Sequence, residues 1–212
     1  MRNHRKAHSF AIALGAVLLG ALAGCKSDGA LAPDDDSRPA EALHFLRPAF
    51  DAPALANPVV SFYAKRGDNR EVFMYYQPRP GRTDSSVFMR FRVPASSLDR
   101  RPDGTLIVAG DSVLITIRLA DPARLILDFQ PSGLRFSAAD PADLKLRFNE
   151  ASHDFDGDGD EDADDARHRT ELRMWRQEAP GLPWFRLASV IDLSVEEVRA
   201  DILGFTGYAI SY

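Results

Sequence analysis

The sequence predicts an all-β chain of antiparallel strands, and three observations carry that expectation. From Pro58 onward apolar residues recur at every second position, as on strands with one face in a core and one in water. Clusters rich in Gly, Pro, Asn and Asp interrupt the pattern at short intervals. Helical periodicity is weak, with candidates of a turn or two only at 163–169 and 193–199. The composition is that of an ordinary globular protein: 212 residues, 45% apolar and 27% charged, with 14 Gly and 14 Pro.

Taken in order, the chain opens with Arg2, Arg5 and Lys6, followed by an unbroken apolar run over 10–24. That run is short for a bilayer span and suits the core of a signal peptide. It ends in Leu22-Ala23-Gly24-Cys25. An ordinary secretory signal or an uncleaved anchor helix would also accommodate the run, but Cys25 is the chain's only cysteine and directly follows two small residues. The segment resembles the lipobox of bacterial lipoproteins. The resemblance implies removal of residues 1–24, a thioether-linked lipid on Cys25, acylation of the new amine, and anchoring to a membrane by several acyl chains. Residue 26 is lysine, not aspartate; by resemblance to the enterobacterial lipoprotein sorting rule, this implies the outer membrane of a bacterial cell envelope, at its periplasmic or surface face. A single cysteine excludes a disulfide framework and a Cys-based zinc site. Loss of three basic residues and no acid takes the net charge from −5 to −8. With no basic patch, this excludes a nucleic-acid binder.

Residues 25–56 are rich in Ala, Pro and Asp, with Asp34-Asp35-Asp36 in sequence, and hold neither a helical nor a strand period. They read as a flexible tether, in part polyproline-like. Within it the short patch Ala42-Leu43-His44-Phe45-Leu46 either docks on the domain or pairs as an edge strand.

Residues 57–212 read as a single domain. At 86–93, Val87, Met89, Phe91 and Val93 face one way, against Phe88, Arg90 and Arg92. At 111–119 the inward set is Val113, Ile115, Ile117 and Leu119, and at 143–148 it is Leu144, Leu146 and Phe148. Further strand-like runs lie at 59–64, 71–77, 124–129, 170–176, 184–191, 195–202 and 205–211. Turns are marked by Arg66-Gly67-Asp68-Asn69, Pro78-Arg79-Pro80-Gly81, Pro102-Asp103-Gly104, Pro131-Ser132-Gly133 and Pro180-Gly181. About ten short strands so spaced predict a sandwich or a barrel.

Four stretches narrow the choice: Gly110-Asp111-Ser112-Val113-Leu114-Ile115-Thr116-Ile117; Asp128-Phe129-Gln130-Pro131-Ser132-Gly133-Leu134-Arg135-Phe136-Ser137; Leu144-Lys145-Leu146-Arg147-Phe148; and Gly204-Phe205-Thr206-Gly207-Tyr208-Ala209. Together, over about 86–212, they resemble the ZU5-like β-sandwich domains of bacterial surface proteins. The resemblance implies an antiparallel β-sandwich in which Pro131-Ser132-Gly133-Leu134 is a turn entering a strand. Some relatives in that family cleave themselves at His-Phe-Ser. Here the aligned triplet is Gly204-Phe205-Thr206, which lacks the histidine, so self-cleavage is not expected.

The chemically sharpest feature is the acidic stretch 154–165. Counted as a twelve-residue calcium loop, Asp154, Asp156 and Asp158 fill positions 1, 3 and 5, and Gly159 takes the sixth. Asp160 stands seventh, where a backbone carbonyl serves; Asp162 stands ninth, and Asp165 closes the loop. Alternate placement turns successive carboxylates toward one hard cation, and the glycine allows the reversal. The loop resembles dockerin-type calcium loops, which also end in Asp, but departs from them at Glu161 and in lacking an amphipathic helix downstream. It is expected to be inserted between strands. Its eight acids equal the whole excess charge of the chain after residue 24, and they repel unless a cation or solvent screens them. A solvated acidic turn is the competing account; spacing and glycine together favour a structural calcium ion.

No Gly-x-Ser-x-Gly elbow, P-loop, Gly-x-Gly-x-x-Gly or His-Glu-x-x-His occurs. His153 and His168, the domain's two histidines, flank the acidic loop and read as surface groups rather than zinc ligands. No enzyme is expected. The leading expectation is a non-catalytic envelope lipoprotein serving assembly, adhesion or envelope architecture, with an envelope protein or a glycan as its partner. The alternative is a carbohydrate- or other ligand-binding module, which needs an exposed row of aromatics from among Tyr75, Tyr76, Trp175 and Trp184. A hydrolase ranks below both, since no polarised nucleophile is identifiable.

Overall fold

The computed structural model describes residues 37–212. The signal segment, Cys25 and the first part of the tether lie outside the described residues. The elements are β1 (Ser37–Arg38), a 3-10 turn (Ala40–Ala42), β2 (Val59–Lys65), β3 (Arg70–Tyr75), β4 (Val87–Val93), β5 (Leu98–Arg100), β6 (Ser112–Asp121) and β7 (Ile126–Gln130). There follow β8 (Arg135–Phe136), β9 (Ala142–Arg147), α1 (Ala163–Glu171), β10 (Arg173–Gln177), β11 (Trp184–Arg186), β12 (Ser189–Asp192), β13 (Glu197–Ile202) and β14 (Gly207–Ser211).

These strands form an all-β antiparallel sandwich. One sheet has seven strands in the order β1-β11-β10-β14-β7-β6-β2, the other five in the order β12-β13-β9-β4-β3, and β5 pairs β8 in a small ribbon. Alternation drives the packing. Along β6, Val113, Ile115 and Ile117 are buried while Leu114 and Arg118 are exposed. Leu144 and Leu146 of β9 are buried likewise. The layers meet at aromatic rings: Phe91 of β4 lies 5.4 Å from Phe129 of β7, and both rings contact Phe205. Phe205 therefore sits at the centre of the core. The turn at Pro131 has Gly133 at φ +85°, a region that favours glycine.

Several local expectations change. Phe88, expected to face outward, is buried: Met74 pairs Met89 and the next residue, Tyr75, pairs Val87, so Phe88 is the extra residue of a bulge in β4, and its ring lies 5.6 Å from that of Tyr76. The run 184–191 is two strands: β11 pairs β10 in the larger sheet, and β12 pairs β13 in the smaller. A strand that bends at a sandwich corner serves both layers in this way. The helix expected at 193–199 is a turn followed by β13. The Asp192 carboxylate accepts from the Ser194 amide (3.0 Å), and Val198, Ala200 and Ile202 then bury at period two. The short helix at 163–169 runs on to Glu171.

The largest difference concerns the tether. Residues 37–56 lie along the domain as a strap. Ser37 and Arg38 extend the seven-stranded sheet beyond β11, and Phe45, Pro48 and Leu55 form isolated bridges with Ser211, Ala151 and Tyr76. Leu43 and Phe45 bury against Trp175, Trp184 and Ala209 in a satellite cluster beside the main core. Leu46 joins the main core itself. The patch 42–46 thus both docks and pairs.

Candidate metal centre

The acidic loop lies on the crossover from β9 to β10, and so from the smaller sheet to the larger. It is inserted after a strand, and its last three residues form the first turn of α1. Its fold is built from its own carboxylates. Asp154 accepts from the amides of Gly157 (2.7 Å) and Gly159 (3.2 Å); Asp156 accepts from Asp158 (3.2 Å), and Asp158 from Asp160 (3.2 Å). Each bond turns a side chain back over the chain two to five residues ahead, the local pairing for which aspartate is suited. Gly159 has φ +105°, so the reversal falls where a Cβ would be strained.

Asp162 caps helix α1, accepting from Asp164 (2.7 Å) and Asp165 (3.3 Å), while Asp165 reaches back to the Asp162 amide (2.9 Å). This reciprocal capping box satisfies amides that a helix start leaves free. The other oxygen of Asp165 accepts from Phe155 (2.6 Å) and Asp156 (3.3 Å), closing the loop end to end. Asp165 is 1% exposed.

All six expected ligands come together in two neighbouring trios. One oxygen each from Asp154, Asp156 and Asp158 lies within 4.8 Å of the others, and the same holds for Asp160, Asp162 and Asp165. Either trio has the oxygen spacing of a metal-ion site. The Asp160 carboxylate lies in the second trio, at the position where the sequence pattern expects a backbone carbonyl to serve. The electrostatics are opposed within the loop. Asp158, foremost, pushes the Asp160 carboxyl above its ordinary range, assisted by partial desolvation and by Asp162, Asp165 and Asp154. Asp165 is held below the usual range, chiefly by the Asp162 amide and further by those of Phe155 and Asp156.

The flanking histidines pack against rings. His153 stacks on Phe155 (6.2 Å, 13° between planes), with its nitrogens 3.6 Å from Glu161 and 3.4 Å from Glu196. His168 lies 4.3 Å from the ring of Tyr212 and 3.3 Å from Glu171. Glu196, which also pairs with Arg169, has φ 52°, the left-handed region unusual for a non-glycine residue. Two groups escaped the sequence reading. Tyr212 donates its hydroxyl hydrogen to the Phe155 carbonyl, and His44 of the strap stacks on Tyr212 at 5.0 Å. Nothing local in the sequence marks them, since their partners lie 57 and 168 residues away from one another's elements in chain order.

Of the aromatics considered for a sugar platform, Tyr76, Trp175 and Trp184 are each 2% exposed and Tyr75 is 40% exposed, so the four make no exposed row. A cleft of about 170 Å³ is lined by Arg79, Arg82, Asp84, Ser86 and Glu150 among others. Its arginines are already engaged, Arg79 between Asp51 (2.8 Å) and Glu150 (2.5 Å), and Arg82 with Asp84 (2.7 Å). A scan against protein-family models, a search of curated proteins and a search of solved structures each found no match to the chain.

Proposed function

We propose that the chain is a non-catalytic lipoprotein of the bacterial envelope, anchored through lipid on Cys25, whose loop 154–165 binds one calcium ion as a structural clasp. The sandwich then serves as an interaction or architectural module for an envelope partner. The observation that supports the calcium reading is the pair of carboxylate trios on one preorganised turn, with Gly159 at its reversal and α1 capped at its end. Hard oxygen donors in that number suit calcium, and a weak site of about 0.1–1 mM affinity is filled outside the cell. A cation offsets the mutual repulsion of eight acids, and here it would pin the crossover between the two sheets.

The test is thermal unfolding of the full chain in calcium and in chelator. A ligand that binds only the folded state stabilises it by about 2.7 kcal/mol at a hundred times its Kd, a rise of several degrees in Tm for a domain of this size. Asp158→Ala abolishes the calcium response. Equal melting in calcium and chelator refutes the reading in favour of a solvated acidic turn.

A further inference from the structure

β2 is the outermost strand of the seven-stranded sheet, and its free side is a half-made ladder. The Pro58 carbonyl accepts from the Leu119 amide at 2.8 Å, and the Arg66 amide donates to the Asp111 carbonyl at 2.9 Å. With Val60 opposite Ile117 and Phe62 opposite Ile115, those two bonds set the phase of the strand. Val60, Phe62 and Ala64 direct their backbone groups at β6, whereas Val59, Ser61, Tyr63 and Lys65 turn theirs away from it. Among the described residues that outer row receives one bond, from the Asp68 amide to the Lys65 carbonyl at 3.1 Å. Its side chains are all exposed, Tyr63 by 68%.

A long, flat, open edge invites a further strand unless charge, proline or a bulge blunts it. β2 carries little of that protection. It pairs β6 without a bulge over all seven residues, its one charge is Lys65 at the far end, and Pro58 stands before it rather than within it. The other edges are covered or short. The strap covers the end of β3, where the Ala56 amide donates to Tyr75 (2.8 Å) and the Gln77 amide to Ala54 (2.8 Å). β1 has two residues; β12 has four, with the Ser189 hydroxyl held by the Met174 amide (3.1 Å).

We propose that β2 docks a second copy of the chain, pairing antiparallel with its counterpart about a two-fold axis at Phe62. The strand is complementary to itself in that register. Val59 stands opposite Lys65 of the second copy and Ser61 opposite Tyr63, so every outward backbone group gains a partner and no like charges face one another. A slip of one residue sets outward groups against groups already bonded to β6, and a slip of two leaves an end of the strand unpaired. On the core side Phe62 meets Phe62 across the axis and continues the apolar layer. Because no other edge of this length is open among the described residues, the isologous pair closes on itself and growth stops at the dimer.

Sedimentation and amide exchange of the full chain test this. The dimer is expected to grow with concentration and to dominate at about 1 mM. Over the same range the Ser61 and Tyr63 amides are expected to slow about fivefold or more, while the Val60 and Phe62 amides, bonded to β6, stay protected throughout. Ser61→Asp with Tyr63→Asp sets carboxylates against one another across the axis, and Ser61→Lys with Tyr63→Lys sets ammonium groups there. Both positions are exposed, so the fold tolerates either pair. Each double variant alone is expected to be monomeric, and an equimolar mixture to form a heterodimer. A parent chain that is monomeric at every concentration overturns the proposal. So does protection of Ser61 and Tyr63 that is independent of concentration, which would put another segment of the same chain on this edge. A dimer that survives both double variants overturns β2 as its seat, and variants that stay apart on mixing overturn the register.

Discussion

The Asp165 carboxylate closes the acidic loop on Phe155, accepting from the amide ten residues before it at 2.6 Å while its other oxygen holds the Asp162 amide. These donors favour the ionised form, so the folded pKa lies below that of the unfolded chain. A depressed carboxyl contributes stability that is present above the unfolded value, about 3.9, and is lost as pH falls through the folded one. In chelator, stability should therefore be insensitive to this group above about pH 5 and decline below about pH 4. Asp165→Asn should lower stability at neutral pH and make the acid limb shallower, as read from urea midpoints across that range. An unchanged slope would remove Asp165 from the acid response.

Asp160 behaves in the opposite sense. Its carboxyl is pushed up first by Asp158, so ionising it costs the folded state when no cation is present. Asp160→Asn should raise Tm in chelator and shrink the increment that calcium adds. A substitution that lowered both values would show Asp160 to be a structural acceptor rather than a repelled ligand.

At the centre of the sandwich, Phe91 touches Phe62, Phe129, Phe136 and Phe205 and has no exposed surface. Phe91→Ala should cost about 3–5 kcal/mol, measured by denaturant unfolding. A cost below about 1.5 kcal/mol, the range of well-tolerated repacking, would mean that the layers are not held together at this ring.

How much of this is legible in the sequence depends on how local the cause is. Val113, Ile115 and Ile117 declare their buried face because a strand repeats every two residues. The six aspartates declare a common site because their spacing is confined to twelve positions, and the structure does gather them, though as two trios. Phe88 reads wrongly because it is the extra residue of a bulge that appears only when β4 pairs with β3. β12 could not be separated from β11, since only the partner strands differ. The strap is least legible. Ser37 and Arg38 are polar, the 42–46 patch is too short to show a period, and its burial is supplied by Trp175 and Trp184 from far along the chain. Tyr212 joins His44, Phe155 and His168, so no sequence window contains its role.

The anchor is tested separately from the fold. Cys25→Ser removes the only thiol in the chain, and with it the atom that would carry the proposed lipid. It should abolish metabolic labelling with a radioactive fatty acid and move the protein from the membrane to the soluble fraction after cell lysis. Labelling that persists in Cys25→Ser would refute lipidation at this residue.

Phe45 offers an optical reading of the strap. Its ring meets Trp184 edge to face at 5.0 Å, and the Arg124 guanidinium lies over it at 5.6 Å. Both tryptophans of the chain belong to this satellite cluster, and each is 2% exposed. Phe45→Ala removes the strap residue that covers Trp184 and opens it to water, so emission should shift to longer wavelength. Because the cluster lies at the sheet's margin and can collapse in part, the cost should fall near the lower end for Phe→Ala, about 3 kcal/mol. The main core does not depend on this ring, so the mutant should still unfold in one transition with its far-ultraviolet β signal intact. A mutant with parental emission and stability would show that the strap does not shield Trp184 in solution.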